Sequence, residues 1–189
     1  MRGRDKFKKV KPVINFVVMV YSFFPRRIRL KMLESSRKDT GSIALFKRYC
    51  LLKTLAKSVG ENVAIYPDVY FKNVQNLEIG NNVSFQPMSY IEAYGGIFIG
   101  DDVSIAEGAS MFSVTHGIKK CNIPIKDQDL TPLPIEIKDN VWVGSKATIL
   151  GGVTISTGCV VAAGAVVKKS FSENCVIGGV PARVLKERK

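Results

Sequence analysis

Histidine is nearly absent from this 189-residue chain, and His116 is the single instance. A mechanism built on two or three imidazoles is therefore excluded, a three-histidine zinc site among them. Cysteine is sparse. Cys50, Cys121, Cys159 and Cys175 stand too far apart for a CxxC motif, which removes zinc-ribbon and thioredoxin readings, and they are too few for a disulfide scaffold. A reducing, cytoplasmic compartment is the expectation. Long apolar runs are missing too. The longest, Val13 to Phe24, covers 12 residues and includes Asn15 and Ser22, short of the roughly 20 that a spanning helix needs. Basic residues precede it, as in a signal peptide, but no small-residue cleavage site follows.

Acidic residues are scarce in the first third only. Residues 1–60 hold 16 Lys+Arg and 3 Asp+Glu, a balance of +13, whereas residues 61–189 hold 12 and 13, a balance of −1. A nucleic-acid-binding domain would carry its charge on the folded body, so no nucleic-acid partner is expected. The apolar run and the Pro25-Arg26-Arg27-Ile28-Arg29-Leu30 segment after it have two readings. One is a helix packed on the body or on a neighbouring subunit, capping the fold. The other is an interfacial anchor, with Arg26, Arg27, Arg29 and Lys31 on anionic headgroups and a peripheral place at the inner face of the cytoplasmic membrane. A second helix is predicted over Ile43 to Ser58, where Ile43, Phe46, Cys50, Leu51 and Leu55 recur at helical spacing. Lys47, Arg48, Lys53 and Lys57 fall on its other faces, and residues 38–42 are the break before it. The chain thus divides into a basic helical segment, residues 1–58, and a body, residues 59–189.

What the body has is a period of six. Ile137, Val143, Ile149, Ile155, Val161 and Val167 recur at that interval, and four residues after each comes Val141, Ala147, Val153, Cys159, Ala165 or Phe171, mostly small. Upstream the same period runs through Val59, Ile65, Phe71 and Leu77, then Ile79, Phe85, Ile91 and Ile97, then Ile99, Ile105 and Met111. Each series is shifted by two residues from the one before. The period is neither 2 nor 3.6, so it fits neither an alternating strand nor a helix. It predicts a triangular solenoid, in which each hexapeptide is one short strand and a turn, and three make one coil. The aliphatic residue points inward and stacks on its counterpart in the next coil. Gly, Asn and Asp supply the left-handed backbone that a sharp corner needs, as in the unit I-G-[DN]-[DN]-V at Ile79 and Ile99. The repeat covers about 106 residues, hence about six coils.

The ladder stops at Met111 and resumes at Ile135. Between lies Ser113-Val114-Thr115-His116 and an extruded, polar loop over residues 117–134 with three prolines. A loop of that length leaving a regular solenoid is more often functional than accidental, and the chain's only histidine stands at its root. A neutral imidazole near pH 7 is well matched to take a proton from a poor nucleophile such as a hydroxyl. Cys159 lies on the small inward rail, where a thiol is inert packing.

Four motifs follow in order: Ser113-Val114-Thr115-His116, Asn140-Val141-Trp142-Val143-Gly144-Ser145, Ala162-Ala163-Gly164-Ala165-Val166-Val167, and Gly178-Gly179-Val180-Pro181-Ala182-Arg183-Val184. In this the chain resembles, over about residues 59–186, the hexapeptide-repeat acyltransferases of the maltose/galactoside O-acetyltransferase group. It looks nearest to those encoded with polysaccharide biosynthesis enzymes. The resemblance implies a left-handed parallel β-helix, an exception to the usual right-handed crossover. It implies acetyl-CoA as the acyl donor, a saccharide hydroxyl as acceptor and His116 as general base in a direct attack. It places pantetheine at Ser145 and Ala163, and the nucleotide end near Lys168, Lys169 and Arg183, with Lys168 where the family often has Thr. It implies a homotrimer with sites between subunits, and no metal. Where the family carries Asn and Asp near the hydroxyl-binding site, this chain has Gln86 and Tyr94, so disaccharide recognition is not carried over. Gln86, Glu92 and Trp142 are the acceptor-side candidates, and Glu107 is a weaker one at a coil corner.

Three other functions fit parts of the pattern. N-acetyl transfer to an amino sugar would use the same base and cofactor slot. Xenobiotic acetyltransferases share the fold and the histidine. A non-catalytic solenoid scaffold would make His116 and the loop incidental, and would bind no acetyl-CoA.

Overall fold

The computed structural model describes residues 3–189, with the backbone alone at residues 3–6, 8 and 9; residues 1 and 2 of the basic segment lie outside the described residues. Three helices come first: α1 (Gly3–Ser22), α2 (Arg26–Ser35) and α3 (Ser42–Leu55). The predicted single helix across the apolar run is broken in two. Pro25 is extended, with φ −53° and ψ 145°, and α2 restarts after it, because a proline disfavours helix in the residue before it.

The body is a parallel β-helix. Each coil contributes one short strand to each of three faces. Ser58–Val59, Leu77–Ile79, Ile97–Ile99, Ile135–Ile137 and Thr154–Ile155 build the first face. The second runs from Ala64–Ile65 through Ser84–Phe85, Ser104–Ile105, Trp142–Val143 and Val160–Val161 to Cys175–Gly179. The third holds Tyr70–Lys72, Tyr90–Glu92, Ser110–Phe112, Thr148–Leu150 and Val166–Val167. Register follows the six-residue ladder: Phe71 pairs with Ile91, Ile91 with Met111, Met111 with Ile149, and Ile149 with Val167. From Ile91 to Val167 this column is fully buried.

The two-residue phase shifts have a cause. Val59, Ile79 and Ile99 align across neighbouring coils, so the early coils run to 20 residues, whereas Ile137 aligns with Ile155, the expected 18. In the first coil the longer corner is a short 3-10 turn, Val74–Asn76, entered through left-handed Asn73 at φ 53°. In the second it is the Tyr94-Gly95-Gly96 corner. The paired Asn/Asp residues of the repeat divide their work. The first of each pair reaches the neighbouring coil: Asp139 Oδ1 accepts from the Asp101 N–H at 2.7 Å, and Asp101 Oδ1 from the Asn81 N–H at 2.6 Å. The second takes positive φ, as at Asn82, Asp102 and Asn140, where short polar side chains tolerate the left-handed region.

The coil edge nearest the N-terminus has no preceding coil to donate to its carbonyls, and α3 supplies the donors. Tyr49 Oη donates to Gly60 O at 2.9 Å, Lys53 Nζ to Val59 O at 2.7 Å and Arg48 Nε to Ile65 O at 2.8 Å. Leu51, Leu52 and Leu55 enter the same buried cluster as Val59 and Ile65. Helix α3 thus covers an edge that would otherwise pair with another chain, and α1 and α2 pack on it. Two helix positions differ from the sequence pattern: Ile43 is 85% exposed, while Arg48 is buried. At the other end Cys175–Gly179 turns back on Ala182–Glu187 as an antiparallel pair.

Candidate active site

Residues 117–134 are not a structureless loop. Val114–His116 pairs antiparallel with Leu130–Pro132, setting His116 opposite Leu130, and Ile125–Asp127 makes a short 3-10 turn at the far part. The excursion is an arm, and its root is tightly held. Ser113 is fully buried. Its hydroxyl donates to Glu92 O at 2.8 Å and accepts from the Gly95 N–H at 2.9 Å. Leu133 N donates to Ser113 O at 2.8 Å. Glycines flank this root on both sides. A Cβ on Gly95 would overlap the Ser113 carbonyl oxygen and sit 2.5 Å from Leu133 N, and one on Gly151 would sit 2.6 Å from Leu133 Cβ. The arm leaves the prism through a gap that only Gly backbone on either side keeps open.

His116 is exposed on this arm. It lines a cavity of about 480 Å³ with Thr115, Ile118, Lys119, Lys120, Gln128 and Thr131. Gln128 ties the arm together, donating from Nε2 to Lys120 O at 2.9 Å and Ile123 O at 3.1 Å. A second hollow, about 520 Å³, opens beneath the arm root against the first face, between Lys57, Asn76, Glu78, Tyr94, Phe98 and Pro132. Sequence reasoning did not single out Ser113 as a root anchor or Lys119 and Lys120 as neighbours of the imidazole. The SVTH motif contained the first, but nothing in spacing tells a buried hydroxyl from an exposed one.

The remaining candidates fall on different corners of the prism. Ser145 and Ala163 occupy one column, between the second and third faces, joined by the Gly164 N–H donating to Ser145 O at 2.8 Å. Both side chains are exposed. Glu107 is in that column, its carbonyl accepting from Lys146 N at 2.9 Å, and Gln86 opens the same corner in the coil before Glu107. Arg183 pairs with Gly178 in the C-terminal hairpin. A Cβ on Gly178 would lie 2.9 Å from Ala162 Cβ, so Arg183 stands beside the Ala163 corner. Lys168 and Lys169 are exposed at the far end of the Val166–Val167 strand, on the corner from which the arm springs two coils earlier. Glu92 adjoins the arm root, and its carboxylate accepts from Asn73 Nδ2 at 2.6 Å. Trp142 points outward from the second face and is 55% exposed.

The geometry fits an extended acyl carrier. The Ser145–Ala163 column offers small side chains and backbone groups along a flat corner, and a Cβ on Gly164 would meet open space. Arg183 stands beside it as a cation for phosphates, whereas Lys168 and Lys169 lie across the third face. The arm with its imidazole and the Ser145–Ala163 column lie at opposite edges of the third face. Cys50, Cys159 and Cys175 are buried. Burial pushes the Cys50 thiol up to about 11 and raises that of Cys159 as well, which leaves neither as a nucleophile. Among the described residues no cluster of His, Cys, Asp and Glu is suited to a metal ion.

Residues 134–169 match the family model of the bacterial transferase hexapeptide, six repeats. The chain is 34% identical over 162 residues to the galactoside O-acetyltransferase of Escherichia coli strain K12, covering 86% of this chain and 79% of that protein. It is similar to the solved structure of a galactoside acetyltransferase in complex with coenzyme A, with TM-score 0.73, 32% identity and coverage of 87% and 81%. It is also similar to a maltose O-acetyltransferase from Clostridium difficile 630, with TM-score 0.74, 27% identity and coverage of 87% and 86%.

Proposed function

This chain belongs to the hexapeptide-repeat acyltransferases, in the maltose/galactoside O-acetyltransferase group, with their left-handed β-helix, and from that premise we propose that it acetylates a saccharide hydroxyl in surface polysaccharide biosynthesis. It is an acetyl-CoA-dependent acetyltransferase. The observation that carries the finer reading is His116, the chain's one imidazole, exposed on a rigidly rooted arm beside a cavity large enough for a sugar.

Acetyl-CoA supplies the acetyl group as a thioester. Ser145 and Ala163 hold its pantetheine arm along their corner, and Lys168, Lys169 and Arg183 hold its phosphates. His116 takes the proton from the acceptor hydroxyl as that oxygen gains the acetyl group, a role that fits a neutral imidazole. Thr115 and Thr131 border the same cavity and offer hydrogen bonds to neighbouring hydroxyls. Gln86, Glu92 and Trp142 are proposed on the acceptor side.

The arm and the Ser145–Ala163 column sit on different corners of one chain. We therefore propose a homotrimer in which the arm of one protomer faces that column on the next. Three-fold closure joins the flat faces without open growth. Cytoplasmic placement goes with the acyl donor.

The acceptor class is tested by thiol release from acetyl-CoA across a panel of neutral sugars, amino sugars and nucleotide- or lipid-linked saccharides. The reading expects turnover with a hydroxyl acceptor and an alkali-labile ester in the product. An alkali-stable amide would establish N-acetylation instead, and no thiol release with any of them, together with no acetyl-CoA binding, would leave a scaffold.

A further inference from the structure

Helix α1 is apolar on two sides, and the fold covers one. Ile14 is buried, and Phe7, Val17, Val18 and Tyr21 pack against the core; Phe7 meets the Tyr49 ring edge-on at 5.7 Å. With 3.6 residues per turn, Val13, Phe16 and Val20 fall on the other side, and Phe23 follows in the turn just after the helix. Phe16 is 62% exposed and Phe23 81%. Met19 and Phe24 extend this face to the turn into α2, where Ile28 is exposed too. An apolar face of this kind that the fold leaves open ordinarily has a partner.

The segment that carries this face is basic. The +13 balance of residues 1–60 stands against −1 for the rest. The four cations assigned to headgroups by sequence divide into two pairs. Arg26 donates to Gln75 Oε1 at 2.6 Å and Arg29 to the Thr54 carbonyl, so these serve the fold. Arg27 and Lys31 are exposed on α2, beyond the Phe23-Phe24 turn. No helix among the described residues is long and apolar enough to cross a membrane.

We propose that the outer face of α1 and the turn into α2 seat this protein in the plane of an anionic lipid surface. The face carries aliphatic and aromatic side chains with cations beside it, which is what an acyl-chain boundary under anionic headgroups receives. The capping role of α3 and this role of α1 coexist, because α3 contacts the first coil and α1 lies outside it. This goes beyond the acetyl-transfer reading and does not depend on it.

The test is sedimentation of the full chain with vesicles of phosphatidylcholine, with and without phosphatidylglycerol. Binding is expected to the phosphatidylglycerol vesicles, weaker to neutral ones and reduced by salt. Phe16→Ser/Phe23→Ser should lower partitioning by about tenfold or more, and Arg27→Glu/Lys31→Glu should remove the preference for anionic lipid. Leu185→Ser, an exposed apolar site at the opposite end of the β-helix, should change nothing. Phe23→Trp should blue-shift in emission on vesicle addition, a readout independent of how the serine variant folds. Failure of the full chain to bind anionic vesicles, or binding that the serine pair and the glutamate pair both leave intact, overturns the proposal. So does a change of oligomeric state that Phe16→Ser/Phe23→Ser abolishes while vesicles are ignored, which would assign the face to a second copy.

Discussion

The Ser113 hydroxyl donates to the backbone oxygen of Glu92 across 2.8 Å and accepts from Gly95 N in the same corner. One buried side chain thus fastens the arm that bears His116 to the coil beneath it. Ser113→Ala strands the Gly95 N–H, at a cost of about 1–3 kcal/mol for an unsatisfied buried polar group, while the Glu92 carbonyl keeps the Ser113 backbone N–H at 3.0 Å. Turnover should fall with it, since a small displacement of a catalytic group is costly. Thermal unfolding and turnover measured together check this. Unchanged values of both would show that the arm is held by its β-pairing alone.

Gly95 and Gly152 make a contrasting pair. At Gly95 an added methyl meets backbone of the arm root, so Gly95→Ala should cost about 1–3 kcal/mol through overpacking and reduce turnover by displacing the arm. At Gly152 φ is +81° and a Cβ meets nothing within 4 Å. Gly152→Ala should cost about 1–2 kcal/mol of backbone strain and leave turnover intact. Urea melts with steady-state rates separate the two outcomes.

Only one of the 4 cysteines, Cys121, is exposed. A thiol reagent should label one site per native chain and all of them after denaturation. The Cys50 thiol, held up to about 11 by burial, should stay unlabelled at neutral pH, where almost none of it is thiolate. Acetyl transfer should survive alkylation of Cys121. Rapid native labelling of Cys159 would reopen a covalent route.

Much of this was legible in the chain. Inward positions from Phe71 to Val167 were fixed by the six-residue period, because a solenoid repeats its environment and periodicity reads environments. The resumption at Ile135 was legible for the same reason. Arg48 was not, since a cation at helical spacing reads as an exposed face. It is buried because the first coil's edge and the turn before α3 leave carbonyls to satisfy: Ile65 O, Ser36 O at 2.7 Å and Asp39 O at 2.8 Å. Burial lowers its pKa, opposed by the nearby Asp39 and Asp68. The 20-residue coils showed only as phase shifts, whose physical content is the extra corner at Asn73 and Gly96. The grouping of candidate residues into corners is contained in the same 18-residue coil, since Ser145 and Ala163 stand one coil apart and Lys168 follows Val167 as the arm follows Met111. The antiparallel pairing inside the arm was illegible, because its residues carry no six-residue phase.

Cofactor affinity gives a further prediction. Replacing Lys168, Lys169 and Arg183 with Ala should weaken acetyl-CoA binding by about tenfold or more at low salt, through lost charge-assisted phosphate contacts. The difference should shrink as salt screens them. Calorimetry at two ionic strengths reads both, and an unaltered affinity at low salt would place the nucleotide elsewhere.

The central claim is that His116 is the base for acetyl transfer, and His116→Ala tests it most directly. The imidazole is exposed on the arm, so the variant should fold and bind acetyl-CoA as before. Turnover of the true acceptor should drop by about 10²–10⁴-fold, the usual worth of a positioned general base. A variant that binds acetyl-CoA and still transfers acetyl at close to the original rate would contradict the account.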